Sequence, residues 1–369
     1  MGDKAPKIVF IVMSAVSRPG TVEQLARSLA PHTVLVHHDF SQTPHFPMGA
    51  PNAHFVPEPR RTGWAVFGFT EGVFHSLRYA LDHFDFDYLQ TLSPTCLPIK
   101  SMARFEEHVS GEAEAHFDCI DLMRDHDALM SVGYRAFTPE GSMRHRALRR
   151  LSGWYFRGAH GRRDEAGIWL RSGERRGPLP WAARAAVEAF AHPRVGGHPF
   201  NGTLRPYYGS SWFGARPHVV RALVEQFERP ELRDWFSKLR IADEFLFGSL
   251  LMRIVSRKGP MNHFIQRYDE AHVGDFTPAD LERLRAAPAY FARKFPDDPA
   301  APVRLEVLRE LVRVDPWRGV AEEDIPQDQA DGLRIGRRNT SVTSTVRGSE
   351  SAWSVRDATS SGWMSPEGS

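Results

Sequence analysis

Two adjacent carboxylates open the segment KLRIADEFLFGSLLMRIV, residues 238–255. At helical spacing Phe247, Leu250, Leu251 and Ile254 make one apolar face, and Asp243 and Glu244 lie a turn before it, pointing along it. Acids in a first helical turn favour the helix dipole, and Asp243 fits an N-cap. Capping accounts for Asp243 without requiring Glu244. A carboxylate at the edge of a cleft can take a proton, so Glu244 is a candidate general base.

Three further groups could do chemistry. VLVHHDFS ends an apolar strand with His37, His38 and Asp39. The two histidines alternate faces on a strand and do not form a metal site together, whereas Asp39 at the carboxyl end is placed to meet a nucleotide or to start a loop. FARKF sets Arg293 and Lys294 between aromatics, and on a strand their side chains diverge, so one of them enters a pocket. A cation on an apolar strand needs an anion, either a phosphate or a structural carboxylate. Asp85-Phe86-Asp87 matches the D-x-D pair of metal-dependent nucleotide-sugar enzymes but precedes its strand, at the end away from any phosphate, and reads as turn chemistry. No G-x-G-x-x-G and no P-loop lysine motif occurs.

The elements that must position these groups alternate. KIVFIVMSAV is a continuous apolar strand of the kind buried on both faces. TVEQLARSLA follows as a helix with Thr21 as its cap, then the strand HTVLVHHDF, the short strand AHFVP and the helix TEGVFHSLRYALDHF. DYLQTLS, MARFEEHV and AHFDCIDL read as strand, helix and strand. This rhythm predicts an α/β domain with its ligand site at the carboxyl ends of the strands. Residues 123–205 interrupt it with many arginines among aromatics. Strand and helix resume in YYGSSWFGARPHVVRALVEQF, followed by the acid-pair helix, a strand in NHFIQRY, the helix TPADLERLRAA with Thr277 and Asp280 as a capping pair, and VRLEVLRELVR. The predicted organisation is a catalytic domain over 1–330, with the insertion at about 123–205, and a low-complexity, disordered tail over 331–369 that carries Trp353 and Trp363.

A net charge of +2 gives no global signature of nucleic-acid or membrane binding. Two cysteines, Cys96 and Cys119, without C-x-x-C spacing exclude a disulfide framework and suit a reducing compartment. No apolar run approaches the ~18–20 residues that span a bilayer, and the opening apolar run reads as a strand rather than a signal peptide. The expected location is the cytoplasm, with room for peripheral contact at the inner face of the membrane through the basic insertion.

Taken in order, VLVHHDFS, VFGFTEGVFHSLRYAL, DYLQTLSPTCLPIKS, YYGSSWFGARPHVV, ADEFLFGSLL and FARKF resemble the motifs of the core-2/I-branching β-1,6-N-acetylglucosaminyltransferases, a family that includes peptide O-xylosyltransferases. The resemblance runs from about residue 7 to 295. It implies a GT-A-like fold with a mixed central sheet, an inverting single displacement and no required metal or other cofactor. By position it makes Glu244 the base, with Asp243 orienting it. It puts Lys294 on the diphosphate, with Arg267 as the second cation, and Asp39 on the uridine. Ser211 and Trp212 of GSSWF, Arg293 and Cys96 complete the substrate-binding set. The family's Gly and Asp in the LSPTCLP loop are here Pro94 and Cys96, beside the donor sugar or acceptor. The implied partners are UDP-GlcNAc, or UDP-xylose, and a glycan or glycolipid acceptor, with no nucleic acid. A carbohydrate- or nucleic-acid-binding protein that has lost catalysis is the reading from another class.

Overall fold

Ile8–Ser14 (β1) turns Val9, Ile11 and Met13 to one face and Ile8, Phe10 and Val12 to the other, and all six are buried. A strand apolar on both faces needs cover on both, and the chain supplies it. The structure is a computed structural model; it describes residues 5–158, 160–163, 168–173, 175–263, 267–269 and 272–319, within the unit Met1–Asp324. The tail 331–369, with Trp353 and Trp363, lies outside the described residues.

The first half runs β1, Pro19–Ser28 (α1), Thr33–His38 (β2), Ala53–Phe55 (β3), Phe67–His83 (α2), Tyr88–Leu92 (β4), Leu97–Pro98 (β5), Met102–Val109 (α3), Ala115–His116 (β6) and Cys119–Asp121 (β7). Thr21 does not cap α1. Arg18 holds the cap position and Pro19 the first turn, where its missing N–H costs nothing, so Thr21 falls inside the helix and is buried. The insertion is helical: His126–Phe137 (α4), Met143–Tyr155 (α5), a hairpin of His160–Arg163 (β8) and Trp169–Ser172 (β9), Pro178–Ala191 (α6) and Pro193–Gly196 (α7). Asp125 and Ser142 cap α4 and α5 with their side chains.

The rest comprises Tyr207–Gly209 (β10), Gly214–Ala215 (β11), Pro217–Phe227 (α8), Pro230–Phe236 (α9), Asp243–Ile254 (α10), Lys258–Gly259 (β12), Arg267–Asp269 (β13), His272–Gly274 (β14), Leu281–Ala286 (α11), Phe291–Ala292 (β15) and Pro302–Val307 (α12). Of the strand expected in NHFIQRY, 264–266 lie outside the described residues, and 267–269 pair with β14. The Thr277–Asp280 capping box is present.

The central sheet has seven strands in the order β12-β6-β11-β4-β1-β2-β3. The pairs β1–β2, β1–β4, β2–β3 and β6–β12 are parallel, while β11 is antiparallel to both its neighbours. The architecture is therefore α/β with a mixed, mostly parallel sheet. On one face Val9, Ile11 and Leu35 pack with α2, α8 and α10, where Phe74 stacks on Phe227 at 3.8 Å and Phe247 lies 5.4 Å away. On the other, Phe10, Val12 and Val36 pack with α1, α3, α11 and α12. Glycines bracket the GSSWFG segment because the backbone is crowded at both ends. A Cβ on Gly209 would stand 2.3 Å from the Asp118 carbonyl oxygen, and one on Gly214 2.3 Å from the Tyr88 hydroxyl. No helix among the described residues is long and apolar enough to cross a membrane.

Candidate active site

The acid pair opens α10. The N-cap position belongs to Ala242, which makes no side-chain bond, so Asp243 is the first helical residue and not the cap expected of it. Its carboxylate is drawn instead to the segment before β11, where the Ser211 hydroxyl donates to Asp243 Oδ2. Burial, then the charge of neighbouring Glu244, pushes the Asp243 carboxyl up to about 6, against the Ser211 hydrogen bond. Glu244 turns the other way. Its Oε2 accepts from Arg135 Nη2 at 2.5 Å, and the Arg135 guanidinium lies 5.2 Å from the Phe245 ring centre and 6.0 Å from that of Tyr208. Arg135 is held charged by Glu244 despite its burial. An ion pair this enclosed fixes the Glu244 carboxylate in place.

Ser211 leads to Trp212, which is buried with its ring edge toward Phe69 at 5.9 Å. Across the indole, 5.5 Å from its centre, lies the Arg293 guanidinium. Arg293 forms no ion pair among the described residues, and its buried Nε has no hydrogen-bond partner. The Arg293 charge reaches Cys96 and His263, opposing the upward push of burial on the thiol and adding to its downward push on the imidazole. The strand expected in FARKF ends at Ala292, so Arg293 and Lys294 stand beyond it, and Lys294 takes a different partner. Lys294 Nζ stands 3.6 Å from Asp275 Oδ1, and Arg267 Nη1 donates to the Asp275 carbonyl at 3.0 Å and lies 3.8 Å from Asp280 Oδ2. The structure thus brings Arg267 and Lys294 together at Asp275, both partly exposed, and sets Arg293 beside Trp212.

Two residues of the expected set are buried, with their side chains bonded within the protein. Cys96 is fully buried beneath the loop after β4, where its thiol meets His263 Nε2 at 3.0 Å, Ser93 Oγ at 3.1 Å and the Ser93 N–H at 3.2 Å. Its thiol is bonded within the protein and supports the loop. Burial raises the thiol and keeps His263 neutral. Asp39 does lie at the carboxyl end of β2, buried, but its two oxygens accept five hydrogen bonds: from the Ser41 N–H and hydroxyl, the Gln42 amide, and the Thr62 N–H and hydroxyl. These hold it far below the usual carboxylate range and use its lone pairs. What Asp39 gives the site is the course of the loop to Thr62. Three residues on, the Ala65 carbonyl accepts from the Ile241 N–H, tying that loop to the start of α10.

His37 and His38 serve the same loop. The Arg60 N–H donates to His37 Nε2, while His38 bonds the Ser14 hydroxyl and the Thr43 carbonyl and stacks on Phe46. Asp85 and Asp87 lie at the amino end of β4 and hold the Lys7 ammonium and N–H, on the side away from the acid pair. Among the described residues no three His, Cys, Asp or Glu side chains gather as metal ligands. Sequence reading missed Arg135. It sits in the insertion, and its only local signal is one cation beside the apolar stripe Leu129, Val132 and Ala136.

No protein-family model matches the chain, and no curated protein matches it. Among solved structures the chain is similar to an active-site mutant of LgtC, at 12% identity and a TM-score of 0.37, over 84% of this chain and 99% of that one. It is similar also to the galactosyltransferase LgtC in complex with donor and acceptor sugar analogues, at 9% identity and a TM-score of 0.34, over 80% and 90% of the two chains. At those TM-scores the likeness assigns neither fold family nor activity.

Proposed function

We propose that the chain is an inverting glycosyltransferase of GT-A-like fold that moves GlcNAc from UDP-GlcNAc to a hydroxyl of a glycan or glycolipid acceptor. The observation that carries this reading is the Arg293 guanidinium, without an ion pair among the described residues, over Trp212, next in sequence to the Ser211 that holds Asp243. A half-buried cation without an acid among the described residues invites an anion, and here it lies against the tryptophan that follows the serine bonded to Asp243. The resemblance of the ordered motifs supports the diphosphate of a UDP-sugar as that anion.

In this reaction the acceptor oxygen bonds to the anomeric carbon as the bond from that carbon to the diphosphate oxygen breaks. The hydroxyl proton passes to Glu244, and the electron pair leaves on UDP. Arg135 keeps the Glu244 carboxylate fixed, so the base is aimed before the acceptor arrives. Asp243, bound by Ser211, joins α10 to the Trp212 segment and so sets the base at a constant distance from the donor pocket. Charge gathering on UDP meets Arg293 directly, with Lys294 and Arg267 alongside, an electrostatic role that needs no bound metal.

Turnover and thermal shift with a panel of UDP-sugars test the assignment. UDP-GlcNAc is expected to stabilise and to turn over, ahead of UDP-xylose. Glu244→Gln should retain UDP binding and lose about 10²–10⁴-fold in turnover, the usual contribution of a general base. A Glu244→Gln protein with near-native turnover would remove Glu244 from the chemistry. Equal response to every nucleotide sugar, or to none, would remove the donor.

A further inference from the structure

The basic insertion carries a surface that the reaction does not use. Residues 142–184 contain eleven arginines against three acids, in a chain whose net charge is only +2. The positive surplus of the whole molecule is therefore concentrated here. Helix α5 holds Arg144, Arg146, Arg149 and Arg150 and no acid. Leu148, Ser152 and Tyr155 form its buried face, while Arg146, Arg150 and, just past its end, Arg157 follow one another at helical spacing on the exposed side.

Two contacts fix how α5 lies against α6. At the start of α5, Arg144 Nη1 donates to the Val195 carbonyl at 3.0 Å, and its guanidinium lies 5.6 Å from the Phe190 ring, beside the end of α6. At the end of α5, the Trp154 ring faces Arg175 at 5.2 Å, and Arg175 is two residues before Gly177, the N-cap of α6. The helices are antiparallel, so the last turn of α5 and the first turn of α6 share one end of the insertion. At that end Leu179 and Trp181 are 70% and 71% exposed. Arg150, Arg157 and Arg176 are exposed at the same end, and none has an ion-pair partner among the described residues. Arg184, by contrast, is paired with Glu188.

We infer that this end of the insertion docks on an anionic lipid bilayer. An exposed indole and an exposed aliphatic side chain in the first turn of α6, with guanidinium groups at the same end, match the interfacial zone: Leu179 enters the acyl boundary, Trp181 lies at headgroup level, and the arginines meet phosphates. Neither the charge nor the apolar pair suffices alone, and the fold presents both at one end of the insertion. A groove lined by stacked aromatics, which single-stranded nucleic acid requires, is not what these residues form. The inference stands apart from the proposed reaction, since no residue in it touches the acid pair.

Sedimentation of the full chain with vesicles of phosphatidylcholine, with and without phosphatidylglycerol, tests it. Binding is expected only with the anionic lipid and should weaken as salt rises. Each arginine near the surface is worth about fivefold in partitioning, so Arg150→Glu with Arg157→Glu should lower it by well over about tenfold. Leu179→Ser with Trp181→Ser should weaken binding with thermal midpoint and turnover unchanged, and Arg221→Glu, exposed on α8, should leave it intact. Failure to bind the anionic vesicles would overturn the proposal. So would equal binding to phosphatidylcholine alone, retention by the Arg150/Arg157 variant, or tighter binding to single-stranded nucleic acid than to vesicles.

Discussion

Replacing Asp243 by Asn should stabilise the protein at neutral and alkaline pH and do much less below pH 4. The native carboxyl titrates at about 6 where a free aspartate titrates at 3.8, because burial and the Glu244 charge both oppose ionisation. Between those values the folded chain keeps a proton that the unfolded chain releases. Stability from this group is therefore fully present below the unfolded pKa and is lost as pH rises through the folded one. The difference of about two pKa units amounts to about 3 kcal/mol at 1.36 kcal/mol per unit. Asparagine keeps an oxygen to accept from the Ser211 hydroxyl and never ionises, so it avoids this loss. At about 2 °C per kcal/mol for a domain of this size, the gap in thermal midpoint between Asp243→Asn and wild type should widen by about 5 °C from pH 4 to pH 8. Scanning fluorimetry across that range measures it. In a Glu244→Gln background the widening should shrink, since one of the two causes is gone. A gap independent of pH would falsify the raised carboxyl, and an undiminished widening in the Glu244→Gln background would refute the coupling between the two acids.

Arg293→Ala should weaken UDP binding far more than uridine binding, by the ~1.5–3 kcal/mol of a charge-assisted contact, with Lys294→Ala having the smaller effect; titration calorimetry of the four combinations decides. If Lys294→Ala is the larger, the cation facing the diphosphate is the one now beside Asp275. Turnover should persist in excess EDTA and fall with rising salt, and Asp85→Asn with Asp87→Asn should leave it unchanged; loss in EDTA with recovery on manganese would reassign the charge compensation to a metal. Phe74→Ala should cost about 3–5 kcal/mol by emptying the stack between Phe227 and Phe247, read by denaturant unfolding, and a cost below about 1 kcal/mol would mean that the stack contributes little.

The strands and helices of the first ninety or so residues were legible because each carries its own pattern: β1 is apolar on both faces and needs no partner to be recognised. AHFDCIDL was read as one strand and is two, with Ala115–His116 in the central sheet and Cys119–Asp121 paired to β10. The split is made by partners about ninety positions later, which periodicity does not register. The same limit explains the site. The acid pair was visible where it stands, but Asp243 was read as a cap because Ser211, 32 positions away, competes for its carboxylate. Arg135 is 109 positions from Glu244 and in the segment least like a known motif. FARKF reads as one strand, but β15 stops at Ala292, so Arg293 and Lys294 stand past it, and which of them lacks an acid among the described residues depends on where Asp275 arrives.

The antiparallel β11 has a bearing on how the chain is made. It fills the place between β4 and β6, so the middle of the sheet closes only when residue 214 has returned to Gln90, whose amide reaches the Phe213 carbonyl across 123 positions. Until then β1 to β4 can pair in order, but β4 keeps one edge open and β6 has no neighbour on that side. Closure of so long a loop is slow compared with local pairing, and the helical insertion must be threaded or folded first. On the ribosome the nascent chain thus carries an unpaired strand edge while more than a hundred residues are added, a period in which pairing with another chain competes. Fragments that stop short of residue 214 keep that edge for good and should aggregate, whereas separately expressed halves should associate by placing β11 between β4 and β6.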